Sequence, residues 1–156
     1  MRWLKLTAFS FLITTVTFIS CKQEANLVLA NYAAYLLPMN GAQEVPAVST
    51  SATGSMNVTY SQASKILTYT LTWSGLSGNA SAAHIHGTAQ TGVTAGVIQS
   101  FTGFPATPAG TYSGTVYMDG IRMIESQLLS GEYYMNIHTA ANGGGEIRGQ
   151  ILLKKL

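Results

Sequence analysis

Charge is scarce in this chain of 156 residues, of which only 9% are Asp, Glu, Lys or Arg while 47% are hydrophobic. This balance excludes an intrinsically disordered chain, which combines low hydrophobicity with high charge. If Arg2 and Lys5 are set aside as part of a leader, the eight basic residues become six and equal the six acids. No Lys/Arg cluster is present, so the sequence gives no support to a nucleic-acid partner. The length suits one domain with a short appendage.

Cysteine is almost absent, and the single Cys21 cannot form an internal disulfide. Residues 1–5 carry two positive charges, residues 6–19 are uncharged and mostly apolar, and Ser20 precedes Cys21. This order is typical of a secretory signal, and its apolar run is shorter than the roughly 20 residues of a membrane span. A small residue before a lone Cys resembles the bacterial lipobox, in which the Cys is lipidated.

We therefore predict a lipoprotein signal peptide over residues 1–20, a lipidated Cys and tether over residues 21–30, and a domain over residues 31–156. The predicted location is the bacterial cell envelope, where Cys21 anchors the protein in the membrane and the domain faces the periplasm or the exterior. Ordinary secretion, with Cys21 incidental, is the alternative. An envelope or extracellular protein is a possible partner.

Short apolar or alternating runs, broken by Gly, Ser, Asn and Pro about every ten residues, predict an all-β fold. We expect an antiparallel Greek-key β-sandwich of about eight strands, with one short helix between Asp119 and Gly131. The clearest strand is in residues 65–73, where large apolar residues alternate with threonines. The predicted strands are Ala33–Met39, Gly54–Ser61, Lys65–Ser74, Ala82–His86, Gly96–Phe101, Gly110–Asp119, Glu132–His138 and Glu146–Lys154.

All three histidines fall in predicted strands. Because alternate residues of a strand share a face, His84 and His86 point the same way while Ile85 points into the core. The same alternation turns Asn136 and His138 away from the core. In the last strand it turns Glu146 and Arg148 outward, and the run 142–145 predicts a hairpin turn that would make the last two strands antiparallel partners. If the strands are neighbours, one outer face gathers His84, His86, Asn136, His138, Glu146 and Arg148.

This cluster has three interpretations. Three neutral imidazoles could bind Zn²⁺ or Cu²⁺ and leave one position open, with Asn136, Glu146 and Arg148 as supporting or ligand-facing groups. The second interpretation is a purely structural cluster, in which the same side chains join neighbouring strands. The third is a ligand site without metal. Catalytic residues are not predicted, because the chain has no phosphate-binding loop, no G-x-S-x-G motif and no pair of acids at a glycosidase spacing. An enzyme is not favoured.

Four segments in order resemble the CHRD domain, first described in chordin: residues 37–46 (LPMNGAQEVP), 82–87 (AAHIHG), 131–139 (GEYYMNIHT) and 143–150 (GGGEIRGQ). The resemblance covers nearly the whole chain after the leader. It implies an extracellular, immunoglobulin-like β-sandwich whose signature is the His-x-His and Asn-x-His-Thr motifs. The cysteine-rich modules that bind growth factors in chordin are absent, so that role is not implied.

The order of His84, His86 and His138, followed by a Gly-rich turn and Arg148, is also similar to that of the copper ligands and anion-guiding Arg of copper/zinc superoxide dismutases. That likeness implies copper on the three histidines. The chain lacks the bridging histidine, the zinc ligands and the disulfide of those enzymes, so dismutase activity is not predicted. The sequence leaves two hypotheses: a lipid-anchored domain that binds copper or zinc through the three histidines, or a metal-free structural or adhesion module.

Overall fold

The fold is all-β, as predicted. A computed structural model describes residues 28–156, so the predictions for the leader and most of the tether lie outside the described residues. No helix in residues 28–156 is long and apolar enough to cross a membrane. The elements, after which all later labels are named, are β1 (Asn31–Asn40), a 3-10 helix (Gly41–Gln43), β2 (Thr53–Ser61), β3 (Ile66–Ser74), β4 (Ala80–Gly87), β5 (Val97–Ser100), β6 (Gly110–Tyr117), α1 (Glu125–Leu129), β7 (Tyr133–Thr139), β8 (Ile147–Gln150) and β9 (Lys154–Lys155).

The strands form one curled, sandwich-like sheet in the order β5-β4-β7-β8-β1-β2-β3-β6, and β9 pairs with β1. Every pairing is antiparallel. The connections from β3 to β4 and from β5 to β6 join strands from opposite ends of this order. The two halves of the sheet therefore meet through side chains, as where the ring of Phe101 stacks on Tyr69 with centroids 4.9 Å apart.

The strand with the clearest alternation supplies much of the core. Leu67, Tyr69, Leu71 and Trp73 of β3 are at most 3% exposed, while the threonines between them face outward. The predicted helix is present but is only one turn long, and it buries Leu128. Gly131 follows it with φ of 73°, the left-handed conformation that ends a helix and favours glycine.

Two features of β1 and its partners were not predicted. A bulge between Ala34 and Leu37 shifts the register with β2 and leaves Leu36 73% exposed. The predicted last strand divides into β8, which pairs with β1 at Asn40, and β9, which pairs with it at Tyr32 and Ala33. Because the bulge lies between these two pairings, one continuous ladder cannot form.

The sheet face that carries the histidines is not solvent-exposed, contrary to the predicted outer face. Its side chains do turn away from the apolar core, but segments 89–95 and 143–145 cover them and hydrogen-bond to them. Segment 41–44 also lies over this face, where Gln43 Oε1 accepts from the Gln150 backbone N–H. This second buried layer is polar. Its members from β4, β7 and β8 that are 7% exposed or less are His86, Tyr134, Asn136, His138, Arg148 and Gln150.

Candidate metal centre

The antiparallel register of β4 and β7 brings the three histidines together. His84 lies directly opposite Asn136 and His86 opposite Tyr134, while His138, two residues beyond Asn136 on the same face of β7, lies opposite Ala82. Each imidazole offers one nitrogen, and these three nitrogens all lie within 4.8 Å of one another. The convergence on which the sequence hypothesis depends is therefore present. Within residues 28–156, no carboxylate or cysteine joins the group.

Backbone carbonyls determine the tautomers of two of the rings. His138 Nδ1 lies 3.0 Å from Gly143 O, and His86 Nδ1 lies 3.0 Å from Ala95 O. A carbonyl can only accept a hydrogen bond, so both Nδ1 atoms carry the proton and both Nε2 atoms keep a lone pair. This is the arrangement typical of metal-binding histidines, in which the second ring nitrogen donates to a carbonyl or carboxylate.

The free nitrogens are not fully satisfied by protein. His86 Nε2 is buried and has no hydrogen-bond partner among the described residues. His138 Nε2 lies 2.9 Å from both His84 Nδ1 and Asn136 Oδ1. The His138 ring thus meets oxygen acceptors at both nitrogens, whereas a neutral imidazole carries one N–H. The lone pair of His138 Nε2 can accept from a proton on His84 Nδ1, whereas a second proton or a cation at Nε2 would also satisfy the Asn136 oxygen.

Burial opposes the second proton. It lowers the pKa of His138 despite the Gly143 carbonyl, which favours the charged form, and the neighbouring His86 lowers it further. Burial also lowers the pKa of His84, with smaller contributions from the other two rings. Neutral imidazoles are the form that binds metal. The donor set therefore fits a borderline cation such as Zn²⁺ or Cu²⁺ better than it fits bound protons.

Asn136 lies at the position predicted for it, in contact with His138. Its side-chain nitrogen also faces Gly144 O at 3.5 Å. Arg148 lies on the next strand, opposite Asn136. Its guanidinium carbon is 3.4 Å from the centroid of the Tyr134 ring, and its Nη2 donates to Gln150 Oε1 at 2.9 Å. Arg148 thus supports the polar layer rather than pairing with an acid.

Glu146 is not part of the cluster, contrary to the prediction that it would face the histidines. Its carboxylate accepts hydrogen bonds from the hydroxyls of Thr50, Ser77 and Thr139 and from the Ser77 N–H. Burial would raise the pKa of Glu146, but these hydrogen bonds outweigh it and lower the pKa to about 2. The residue precedes β8 and joins three segments at the end of the sheet. Strand alternation therefore does not apply to its side chain.

Three residues of the site were missed from the sequence. Tyr134 stacks on His86 with ring centroids 4.8 Å apart, and its hydroxyl accepts from the Ala95 N–H at 3.2 Å. Gln150 donates to the carbonyls of Ala89 and Gly131. Strand alternation places Tyr134 and Gln150 on the histidine face, so the sequence did carry a signal for these two residues. Glu44 also enters the polar layer, from the segment after the 3-10 helix, and no periodicity could have indicated that position.

An antiparallel all-β domain with a three-histidine cluster on a buried polar sheet face is the class of protein that the fold and the site define. The family model for the CHRD domain matches residues 35–151. The chain belongs to the CHRD domain family, and the matched range contains all three histidines. Comparisons with curated proteins and with solved structures find no match.

Proposed function

We propose that this CHRD domain binds a divalent metal ion, copper or zinc, through His84, His86 and His138. The observation that carries the proposal is the convergence of three ring nitrogens within 4.8 Å. Two of the rings are held by carbonyls in the tautomer that leaves Nε2 unprotonated. His84 is only half-buried, so its side of the cluster would leave a fourth coordination position open to water or a ligand.

A metal ion would also resolve the polar contacts that the protein alone leaves unsatisfied. It would take the lone pair of the buried His86 Nε2 and would supply the positive charge that the oxygens around His138 favour. Asn136 would then orient the His138 ring, and Tyr134 would hold His86 from its stacked face. Such supporting contacts typically change metal affinity by about 10- to 100-fold.

A metal-free cluster that only joins β4 to β7 is the competing function, and the His84–His138 contact of 2.9 Å is the observation that favours it. The two proposals differ in what His138→Ala does. A metal site loses its affinity, whereas a structural cluster loses only stability, by about 1 to 3 kcal/mol for the partners left buried and unpaired.

The test is a calorimetric titration of the purified protein with Cu²⁺ and with Zn²⁺. We expect one ion per chain, with binding abolished in His138→Ala and unchanged in Gln99→Ala. Gln99 lies on β5 opposite Ile85, so its side chain is on the other face of the sheet from the histidines. An absence of binding above background, or equal binding by His138→Ala, would contradict the metal proposal and favour the adhesion module.

We also propose that the protein is a bacterial lipoprotein, anchored by Cys21 with its domain facing the periplasm or the exterior. The support is the order of charged, apolar and small residues that ends at Cys21. The segment that follows Cys21 is short, so the domain and its histidines would stay near the membrane surface. A metal ion or a protein partner would then be met within the envelope.

A further inference from the structure

A cavity of about 280 Å³ lies beside the metal centre, between segment 44–48 and the Gly-rich turn 141–145. Val45, Pro46 and Val48 supply apolar surface on one side, and the glycines of the turn supply backbone on the other. The cavity is at the small end of ligand sites, which typically measure about 300 to 1,000 Å³. It therefore suits a single side chain or a short flexible molecule.

Glu44 is the only acidic residue that lines this cavity within the described part of the chain, and its carboxylate is incompletely satisfied. The residue is 7% exposed, and its Oε1 has no hydrogen-bond partner in residues 28–156. Burial raises the pKa of Glu44 to about 7, although the charge of Arg148 and the Asn136 amide both oppose the rise. A buried carboxylate with an unsatisfied oxygen is costly unless a cation compensates its charge.

The turn is shaped around this carboxylate. A Cβ atom at Gly145 would lie 2.8 Å from the Glu44 carboxyl carbon and 2.6 Å from Asn136 Nδ2. Gly145 also has φ of 127°, which other residues rarely adopt. The glycine thus leaves the space that the acid occupies. Arg148 does not donate a hydrogen bond to Glu44 Oε1, because its own buried Nη1 has no hydrogen-bond partner among the described residues.

The cavity does not suit a second divalent metal ion. Hard cations require several oxygen ligands, and here one carboxylate is present. The nearby carbonyl of Gly143 already accepts from His138, and that of Gly144 faces Asn136. A protonated amine needs only one carboxylate and a few acceptors, and its alkyl stem would contact the apolar wall. The shape and the charge therefore favour an organic cation.

We propose that this cavity binds a primary alkylammonium group, with Glu44 as its counter-ion and Val45, Pro46 and Val48 against its methylene stem. The group could come from a lysine side chain of a partner protein or from a free polyamine. The site adds an amine-binding function to the domain and does not depend on metal binding.

The experiment follows backbone amide shifts of the purified protein by NMR during titration with three probes: Nα-acetyl-lysine amide, its Nε-acetylated neutral counterpart, and spermidine. We expect shifts in segments 44–48 and 141–145 with the two charged probes and none with the neutral one. Glu44→Gln preserves the shape of the side chain and should weaken binding by about tenfold or more. Glu132→Gln, which removes an equivalent charge outside the cavity, should have no effect.

His86→Ala distinguishes the amine proposal from the metal proposal. It removes a proposed metal ligand that does not line the cavity, so amine binding should stay unchanged. Binding of spermidine alone would assign the site to free polyamines, and binding of the lysine probe alone would assign it to a protein partner. No shifts at millimolar probe, equal binding of the neutral probe, or full binding by a folded Glu44→Gln would overturn the proposal.

Discussion

Glu44 and Glu146 are both buried carboxylates, but the protein treats them in opposite ways. Glu146 accepts hydrogen bonds from three hydroxyls and one backbone N–H, whereas Glu44 Oε1 accepts none from the described residues. The pKa of Glu146 is consequently held at about 2, and that of Glu44 is raised to about 7. At the scale of single residues, hydrogen-bond donors rather than burial decide the charge state.

Glu146→Gln should lower the free energy of unfolding at neutral pH by about 2 to 3 kcal/mol, because hydrogen bonds to a charged acceptor are lost. The pKa of Glu146 is lower in the folded than in the unfolded protein, so its stabilisation is complete above pH 4.5 and disappears as the pH falls towards 2. Urea denaturation of both proteins across this range would measure the change. A difference that stays constant down to the lowest pH would contradict the role of the charge.

Glu44→Gln should act in the opposite direction. The pKa of Glu44 is higher in the folded than in the unfolded protein. The free energy of unfolding therefore falls as the pH rises from 4.5 to about 7 and the carboxyl ionises. Removing the charge should therefore increase the free energy of unfolding above about pH 7, by roughly 2 to 3 kcal/mol. The gain should vanish near pH 4.5, and thermal denaturation at the two pH values would show it. Destabilisation by Glu44→Gln at high pH would instead indicate a strong partner for the carboxylate.

At the scale of elements, the close approach of β8 to β1 depends on Gly149. A Cβ atom there would lie 2.8 Å from the Pro38 carbonyl oxygen and 2.7 Å from Met56 Cε. The oxygen belongs to the backbone of β1 and cannot rotate away. This contact matters for the site because β8 carries Arg148, a member of the polar layer.

Gly149→Ala should therefore destabilise the fold by about 1 to 3 kcal/mol through overpacking. Gly78→Ala is the matched control, since a Cβ atom at Gly78 has nothing within 4 Å and should change stability little. Chemical denaturation of the two variants gives the comparison. Equal stabilities would mean that β8 can move away from β1 without cost.

The elements themselves were largely predictable. Strand alternation identified β3 and its buried residues, and the glycine run after β7 indicated the hairpin to β8. The bulge in β1 was not predictable, because residues 33–37 (AAYLL) form a continuous apolar run, and without alternation no residue marks the register shift. The break between β8 and β9 follows from that bulge, so it was missed for the same reason.

At the scale of the whole molecule, the proposed lipid anchor on Cys21 determines where the domain resides. If Cys21 is lipidated, Cys21→Ser should move the protein from the membrane fraction to the soluble fraction of the producing bacterium. Fractionation would detect this move, and mass measurement of the N-terminal peptide would detect the loss of the lipid. Soluble wild-type protein with an unmodified Cys21 would contradict the anchor and favour ordinary secretion.

The sequence by itself determined the all-β class, the strands, and the shared face of His84, His86 and His138, because alternation along a strand is a local property. It also indicated the CHRD family through four ordered motifs. Only the tertiary structure decided that this face is buried, that Glu146 lies apart from it, and that Glu44 lies within the polar layer. Those facts depend on which loops fold over the sheet, and loop positions arise from contacts between segments far apart in the chain.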